Sequence, residues 1–392
     1  MANTSFNQIS TLLNSICEQA TGKASITPTN TAEFMSVATT ALNAGYDALM
    51  GAISKVLSRT IFSTRAYSGK FPSMQADSQR WGSIVRKLNI IDGDFDDDPS
   101  YELEDGVSVD MYKVNLPKPL QLNFYGSNVF KKYYTILLDQ LDEAFQGPDQ
   151  FASFMGMVTQ NNADIITQAK ESVRRATVAN LVGAVTQFGN TEQKIHCLTE
   201  YNTLTGLATP LTAQTVFQPA NYRPFMQWLY ARINTLSEMM TERSHLFHLN
   251  ITGKEITRHS PKAMQNVYLY TPMKYQAIAM ADADTFNANL VGFANNESVN
   301  YWQSIETPDQ IKVKPAYLDV SDGTVKTYDT GVEVSKVLGV VFDRDCMGTT
   351  TISERTLPTP VNANGKYYNL FHHFTERYWT DFTENHAVLY LD

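Results

Sequence analysis

The residues best suited to chemistry fail, one group after another, the spacing that each chemistry demands. The run DGDFDDDPSYELED, from Asp92 to Asp105, offers carboxylates to a hard cation. An EF-hand loop read from Asp94 needs Gly at its sixth position, where this chain has Pro99; read from Asp92, the sixth residue is Asp97 and the twelfth is Leu103. The run therefore reads as a solvated acidic turn. His245 and His248 stand three apart with no HExxH motif and no third ligand. His372 and His373 are adjacent in strand-like sequence, so they point to opposite faces and cannot converge on one ion. The chain has no GxSxG elbow, Walker loop or GxGxxG, and no Cys visibly pairs with a His. No catalytic residue, cofactor or metal site is assigned, and an enzyme with scattered catalytic residues stays open as an alternative.

Lys170, Arg174 and Arg175 have i, i+4 spacing within a helical pattern, which suits a solvated helix face or one turned to packaged nucleic acid. Cys17, Cys197 and Cys346 are odd in number and widely spaced, as expected of unpaired thiols in a reducing compartment. The net charge of -9 argues against a protein whose main task is gripping nucleic acid, although a wall that merely encloses it can be acidic. Charged residues make up 18% of the chain, against roughly 25% in an average soluble domain, while aromatics reach 11%. Few charges and many rings fit large subunit interfaces, and equally an aromatic-rich globular enzyme. The start, MANTSFNQIS, lacks a basic n-region, and no segment approaches the apolar length of a membrane span, so neither export by a signal peptide nor a membrane partner is expected.

The elements that would position these residues follow from periodicity. The first thirty residues, rich in Ser, Thr, Asn and Ala, read as a weakly structured or partner-ordered arm. Asn30 and Glu33 have capping-box spacing, and Phe34, Val37, Ala41, Tyr46, Leu49, Ile53, Val56 and Leu57 then predict one amphipathic helix to about Arg59. From Ile61 to Phe130 the helical period vanishes into short extended pieces broken by Gly and Pro. Leu120, Leu122 and Phe124 alternate with Gln121, Asn123 and Tyr125, a strand whose apolar face needs cover from the rest of the subunit or from another one. A short helix is predicted from Tyr134 to Phe145, followed by a single helix from Asp149, as N-cap, to Phe188. Residues 190–330 read as mixed α and β: a helix from Tyr222 to Met240, a strand from Val267 to Tyr270 leading into a helix capped by Thr271, and a tight turn at Asp322-Gly323. Val334 to Phe342 and Tyr367 to Leu391 return to strand-like sequence, as if the C-terminus closes a sheet begun earlier.

In this order, four stretches carry a resemblance: YDALMGAISKVLSRTIF, PKPLQLNFYGSNVFKKYYTILLDQLDEAF, VLGVVFDRDCMGTTTISERT and KYYNLFHHFTERYWTDFTENHAVLYLD. Over nearly the whole chain the pattern resembles the major capsid proteins of tailed bacteriophages with the Hong Kong 97-type fold, most closely those of small podoviruses. The resemblance implies an α+β fold divided into an N-terminal arm and first helix (1–60), an extended loop (61–130) and a peripheral domain with a spine helix (131–190). An axial domain (191–335) and C-terminal strands returning to the peripheral domain (336–392) would follow. It implies self-assembly into hexamers and pentamers of an icosahedral head shell in the virion, assembled in the host cytoplasm around DNA held without sequence specificity. A portal and a separate scaffolding protein are the implied partners; thirty residues before the first helix are too few for the cleaved scaffolding domain some relatives carry, so scaffolding would be a separate protein or already removed. The loop would lie over the adjacent subunit, with Leu120, Leu122 and Phe124 as inter-subunit contacts and the acidic run as its tip. Some relatives crosslink Lys to Asn between subunits; Lys70, Lys87, Lys113 and Asn385 are present, but no visible carboxylate activates the lysines, and crosslinking is not expected. An encapsulin-like cellular shell or another virion component is the alternative reading.

Overall fold

A computed structural model describes residues 6–23, 27–57, 67–76, 85–91, 104–106, 112, 116, 118–124, 126–275 and 296–392. Three helices open the chain: α1 (Phe6–Thr21), α2 (Thr31–Asn43) and α3 (Tyr46–Leu57). The first corrects the expectation of a weakly structured arm. Ile9, Leu13, Ile16 and Cys17 recur at helical spacing, and all four are buried against the other two helices. The single helix expected from Asn30 is two helices. Gly45 adopts φ +96, a conformation that side-chain-bearing residues avoid, and the chain turns there. Asn30 does cap α2, accepting from the Glu33 amide at 2.9 Å, while the Glu33 carboxylate reaches back to accept from the Thr29 amide and hydroxyl.

Next come β1 (Val85–Ile90) and β2 (Pro119–Phe124), an antiparallel pair, and β3 (Ser127–Leu137). Residues 134–137, expected to be helical, end β3: Tyr134 and Ile136 turn inward while Thr135 and Leu137 turn out, the period of a strand. Helix α4 (Leu138–Ala144) is the remainder of that helix, and α5 (Pro148–Phe188) is the spine. Its 41 residues span about 60 Å. Its N-cap is Gly147, with Pro148 in the first turn, so Asp149 lies inside the helix instead of capping it.

Beyond the spine lie β4 (Lys194–His196), α6 (Cys197–Thr205), α7 (Pro219–Met239), β5 (Gln265–Tyr270) and β6 (Asn296–Val299). Residues 271–275 are helical, and the rest of the helix expected after Thr271 lies outside the described residues. Five further strands, β7 (Ile311–Val313), β8 (Ala316–Asp319), β9 (Thr324–Thr327), β10 (Val332–Val334) and β11 (Val337–Asp343), precede the closing β12 (Met347–Pro358), β13 (Tyr367–Thr380) and β14 (His386–Tyr390). Gly323, at φ +73, makes the turn expected between β8 and β9.

Two sheets organise this material. One has the order β4-β14-β11-β5-β6, and the other the order β12-β13-β3. The C-terminal segment is thus divided, with β11 and β14 in the first sheet and β12 and β13 in the second. Alternation gives the five-stranded sheet two covered faces. Tyr268, Val340, Phe342, Val388 and Tyr390 pack on the C-terminal half of α5, while Val267, Leu269, Val341, Ala387 and Leu389 pack under α6 and α7. The N-terminal half of α5, from Phe151 to Met155, joins α1 to α4 in a third core with Ile136, Tyr368 and Leu370 of the second sheet. The spine helix therefore ties two separate cores together.

Candidate assembly interface

The β1–β2 hairpin has two unlike faces. Leu120 is buried in the subunit's own core, Leu122 packs half-buried beside it, and Phe124 is also half-buried. Of the three residues expected to meet a neighbouring subunit, Leu120 is thus covered by its own chain, and Leu122 and Phe124 are covered in part. The opposite face carries Leu88 and Ile90, which remain 67% and 64% exposed. From the seated face of β1, Lys87 reaches Asp381 at 2.8 Å and also bonds Glu384, while Arg258 approaches Glu384 at 3.2 Å. Burial pushes the Lys87 ammonium toward deprotonation, but the two carboxylates outweigh it and hold the pKa above the ordinary value. Burial in turn raises Glu384, against the pull of Lys87 and Arg258.

This geometry bears on crosslinking. Lys87 is held as a cation and so is a poor nucleophile. Asn385 is fully buried, donating to Ser260 at 3.2 Å and facing His248 Nδ1 at 3.2 Å. Lys113 lies outside the described residues.

A second attachment fastens residues 67–75 to the spine, and it overturns both expectations for the basic cluster. Arg174 and Arg175 are 6% and 7% exposed, neither solvated nor available to nucleic acid. Arg174 donates to the Lys70 carbonyl at 3.2 Å and to Gln75 Oε1 at 2.6 Å. Arg175 forks onto Glu171 at 2.8 and 2.6 Å, donates to the Tyr301 carbonyl, and stacks on the Tyr301 ring at 3.8 Å. Glu171 also accepts from the Tyr67 hydroxyl at 2.5 Å and the Lys70 amide at 3.1 Å. Burial is the largest single influence on Glu171 and pushes its pKa up, but these donors together hold the carboxyl below its ordinary range. The hydrogen bond to that carboxylate pushes Tyr67 up to about 12. Lys170 turns instead to Glu354, at 3.1 Å, and lies over the Phe374 ring.

The remaining sequence candidates resolve as structure. His248 is buried, with Nε2 2.6 Å from the Ile256 carbonyl, and His245 bonds Asn250 at 3.0 Å. His372 is buried against Thr356, while His373 points to the other face of the sheet. Cys17, Cys197 and Cys346 are buried, and none forms a disulfide. Of the acidic run, only Glu104 and Asp105 are described, both exposed beside Gly106 at φ +88. Among the described residues no group of His, Cys, Asp and Glu is placed to hold a metal, and no helix is long and apolar enough to cross a membrane. An open groove of about 450 Å³ lies between α4 and the start of α5, where Gln140, Glu143, Asp149, Gln150 and Ser153 contribute to its lining. These residues offer no nucleophile activated by a histidine or lysine base.

The arrangement is one of attachment: residues 67–75 and the β1–β2 pair are held to the body by buried and partly buried ions, and Leu88 and Ile90 stay open on the other face of the pair. A model of the Phi29-like phage major capsid protein family matches residues 13–390. Among solved structures, the capsid of Staphylococcus phage Andhra is similar with a TM-score of 0.58 and 13% identity, covering 85% of this chain and 87% of that one. The structure of head fiber and inner core protein gp22 of native bacteriophage P68 is similar with a TM-score of 0.55 and 12% identity, again over 85% of this chain and 87% of that one. At such identities the likeness establishes the fold. No curated protein matches the sequence.

Proposed function

The chain belongs to the Phi29-like phage major capsid protein family, and from that premise we propose how its loop joins one subunit to the next. The protein is a structural component of the phage head shell and of the virion, not an enzyme, and its α+β fold is of the Hong Kong 97 type. Copies close into hexamers and pentamers by head-to-tail contacts, and these rings tile an icosahedral shell around DNA held without sequence specificity. Residues 61–130 serve as the extended loop, 131–190 as the peripheral domain with its spine, and 191–335 as the axial domain. The arm and first helices (1–60) and the closing strands (336–392) complete the subunit. A separate scaffolding protein and a portal take part in assembly in the host cytoplasm.

The observation that carries the loop's role is the two-faced hairpin. Two strands alone are marginal in water. Here Leu120 seats one face on the subunit, Leu122 and Phe124 are left half-buried, and Leu88 and Ile90 point away from it. An adjacent copy would finish the burial of all four, and the shell multiplies each modest contact through avidity.

Replacing residues 92–116 by a short Gly-Ser linker tests this reading, because it spares both strands and both attachments. The shortened subunit should fold, as judged by circular dichroism and thermal melting, yet form no closed shells in negative-stain micrographs. Normal particles from it would remove the loop from the assembly mechanism.

A further inference from the structure

The three-stranded sheet has faces of opposite character. Its inner face packs on α5 along β12 and β13 and holds the carboxylates of these strands: Glu354 meets Lys170 and His372 there, and Glu376 is fully buried. The outer face is open. Strand register lays Leu357, Phe371 and Tyr133 side by side across β12, β13 and β3, and the adjoining row is Arg355, His373 and Lys131. Ser353, Thr375 and Val129 form the next row, and on the other side Thr135 bonds Asn369. These rows contain no carboxylate, in a chain with 40 Asp and Glu against 31 Lys and Arg. Tyr133 and Leu357 are 59% and 53% exposed, and Lys131 and Arg355 are exposed beside them. The Lys131 ammonium lies 5.9 Å over the Phe371 ring, and Tyr133 packs against the same ring at 5.4 Å. An open patch of rings edged by unopposed cations marks an interaction site.

We infer that this face receives the acidic segment Asp92–Asp105 of a neighbouring copy. The inference rests on the reading that the loop crosses to the adjacent subunit, and it names the surface on which the loop lands. The segment is complementary in composition, with eight carboxylates, no cation, and Phe95, Tyr101 and Leu103 interleaved among them. Its carboxylates match Arg355 and Lys131, and its apolar residues match the row of Leu357, Phe371 and Tyr133. A basic, aromatic sheet also suits single-stranded nucleic acid. The same chain carries an acidic and aromatic complement, however, and in a shell the neighbours are copies of that chain.

Two variants test the pairing. Lys131→Glu with Arg355→Glu reverses the face, and Asp94→Lys, Asp96→Lys, Asp97→Lys, Asp98→Lys and Glu102→Lys together reverse the segment, leaving five cations against three carboxylates. Each should fold by circular dichroism, and neither alone should yield capsomers or shells. Mixed in equal amounts before assembly, the two should recover capsomers containing both, because every native segment then finds a native face and every reversed segment a reversed one. A ring of six can alternate them strictly. A mixture that stays unassembled overturns the inference, whether or not one chain carrying both sets assembles. Normal shells from the face variant alone also overturn it, and if such shells retain less DNA the face is a genome contact. The crossing loop itself is judged separately by the shortened subunit, whose loss of shells would stand even if the face variant assembled.

Discussion

Glu171→Ala is the sharpest test of the attachment between loop and spine. The Glu171 carboxylate is 3% exposed and accepts from the Tyr67 hydroxyl, the Lys70 amide and two nitrogens of Arg175. Alanine removes all four bonds and leaves the Arg175 guanidinium buried without its counter-ion. Removing one partner of a buried pair costs about 3–5 kcal/mol. Arg175 keeps the Tyr301 carbonyl and the Tyr301 ring, so the lower end, about 3 kcal/mol, is expected. Glu171→Gln, which preserves an acceptor but no charge, should cost about half as much. Urea unfolding of unassembled subunits gives the global loss, and hydrogen exchange at the Tyr67 and Lys70 amides gives the local one. Those amides bond Asp164 and Glu171 in the native subunit. Because the Glu171 pKa is depressed on folding, its contribution is fully present above the ordinary carboxyl value of 4.5 and is lost as pH falls below it. The alanine variant should therefore lose less stability than wild type on acidification through that range. A cost under about 1 kcal/mol, with unchanged exchange at both amides, would show that the cluster behaves as a solvated surface pair and would refute the argument.

His386 supplies a second pH-dependent step of the same sign. It is fully buried, its Nε2 accepts from Gln193 at 2.8 Å, and its Nδ1 donates to the Glu384 carbonyl at 2.7 Å, so only the neutral ring fits. Burial lowers its pKa from 6.5 to about 4; the stabilisation is complete above 6.5 and declines by about 3 kcal/mol as pH falls to about 4. His386→Gln should flatten the unfolding free energy against pH across that window, and an unchanged slope would count against the assignment. Gly339→Ala probes the five-stranded sheet: a Cβ there would meet the Tyr268 carbonyl at 2.8 Å and Leu269 Cδ2 at 2.7 Å. A loss of about 1–3 kcal/mol in denaturant unfolding is expected, and a neutral result would mean that β5 and β11 separate without cost.

Legibility in the sequence tracked the range of the interaction. The spine helix could be read from Phe151 to Val185 because one apolar stripe repeats over roughly ten turns and local stop signals bound it. The strands of the C-terminus could be read because Leu370, His372 and Phe374 alternate with Phe371 and His373. Helix α1 was hidden: its inward residues number few among Ser, Thr and Asn, and a propensity reading weighs all of them equally. Residues 134–137 misled because a tyrosine, an isoleucine and a leucine beside a helical run satisfy either period. The ion clusters were out of reach. Tyr67 and Glu171 are 104 residues apart, and Lys87 and Asp381 are 294 apart, so nothing local distinguishes Arg174 and Arg175 from a solvated face.

Those distant pairs explain why charged groups, scarce in this chain, are found inside it. A buried ion pair contributes little net stability over a well-packed apolar contact. An apolar contact, however, tolerates sliding and rotation, whereas the Arg175 guanidinium, bonded to Glu171 and the Tyr301 carbonyl and stacked on the Tyr301 ring, accepts one orientation, and the two carboxylates around Lys87 fix where its ammonium sits. Both lie at the base of the proposed loop, one before β1 and one on it. A small angular error at such a base would grow along the loop, and a shell closes only if every loop leaves at the same angle. Directional bonds at the two bases and adaptable rings beyond them are therefore a physically consistent division. They make the bases, rather than the distal contacts, the positions where a conservative change such as Arg175→Lys would keep the charge and still disturb the shell's geometry.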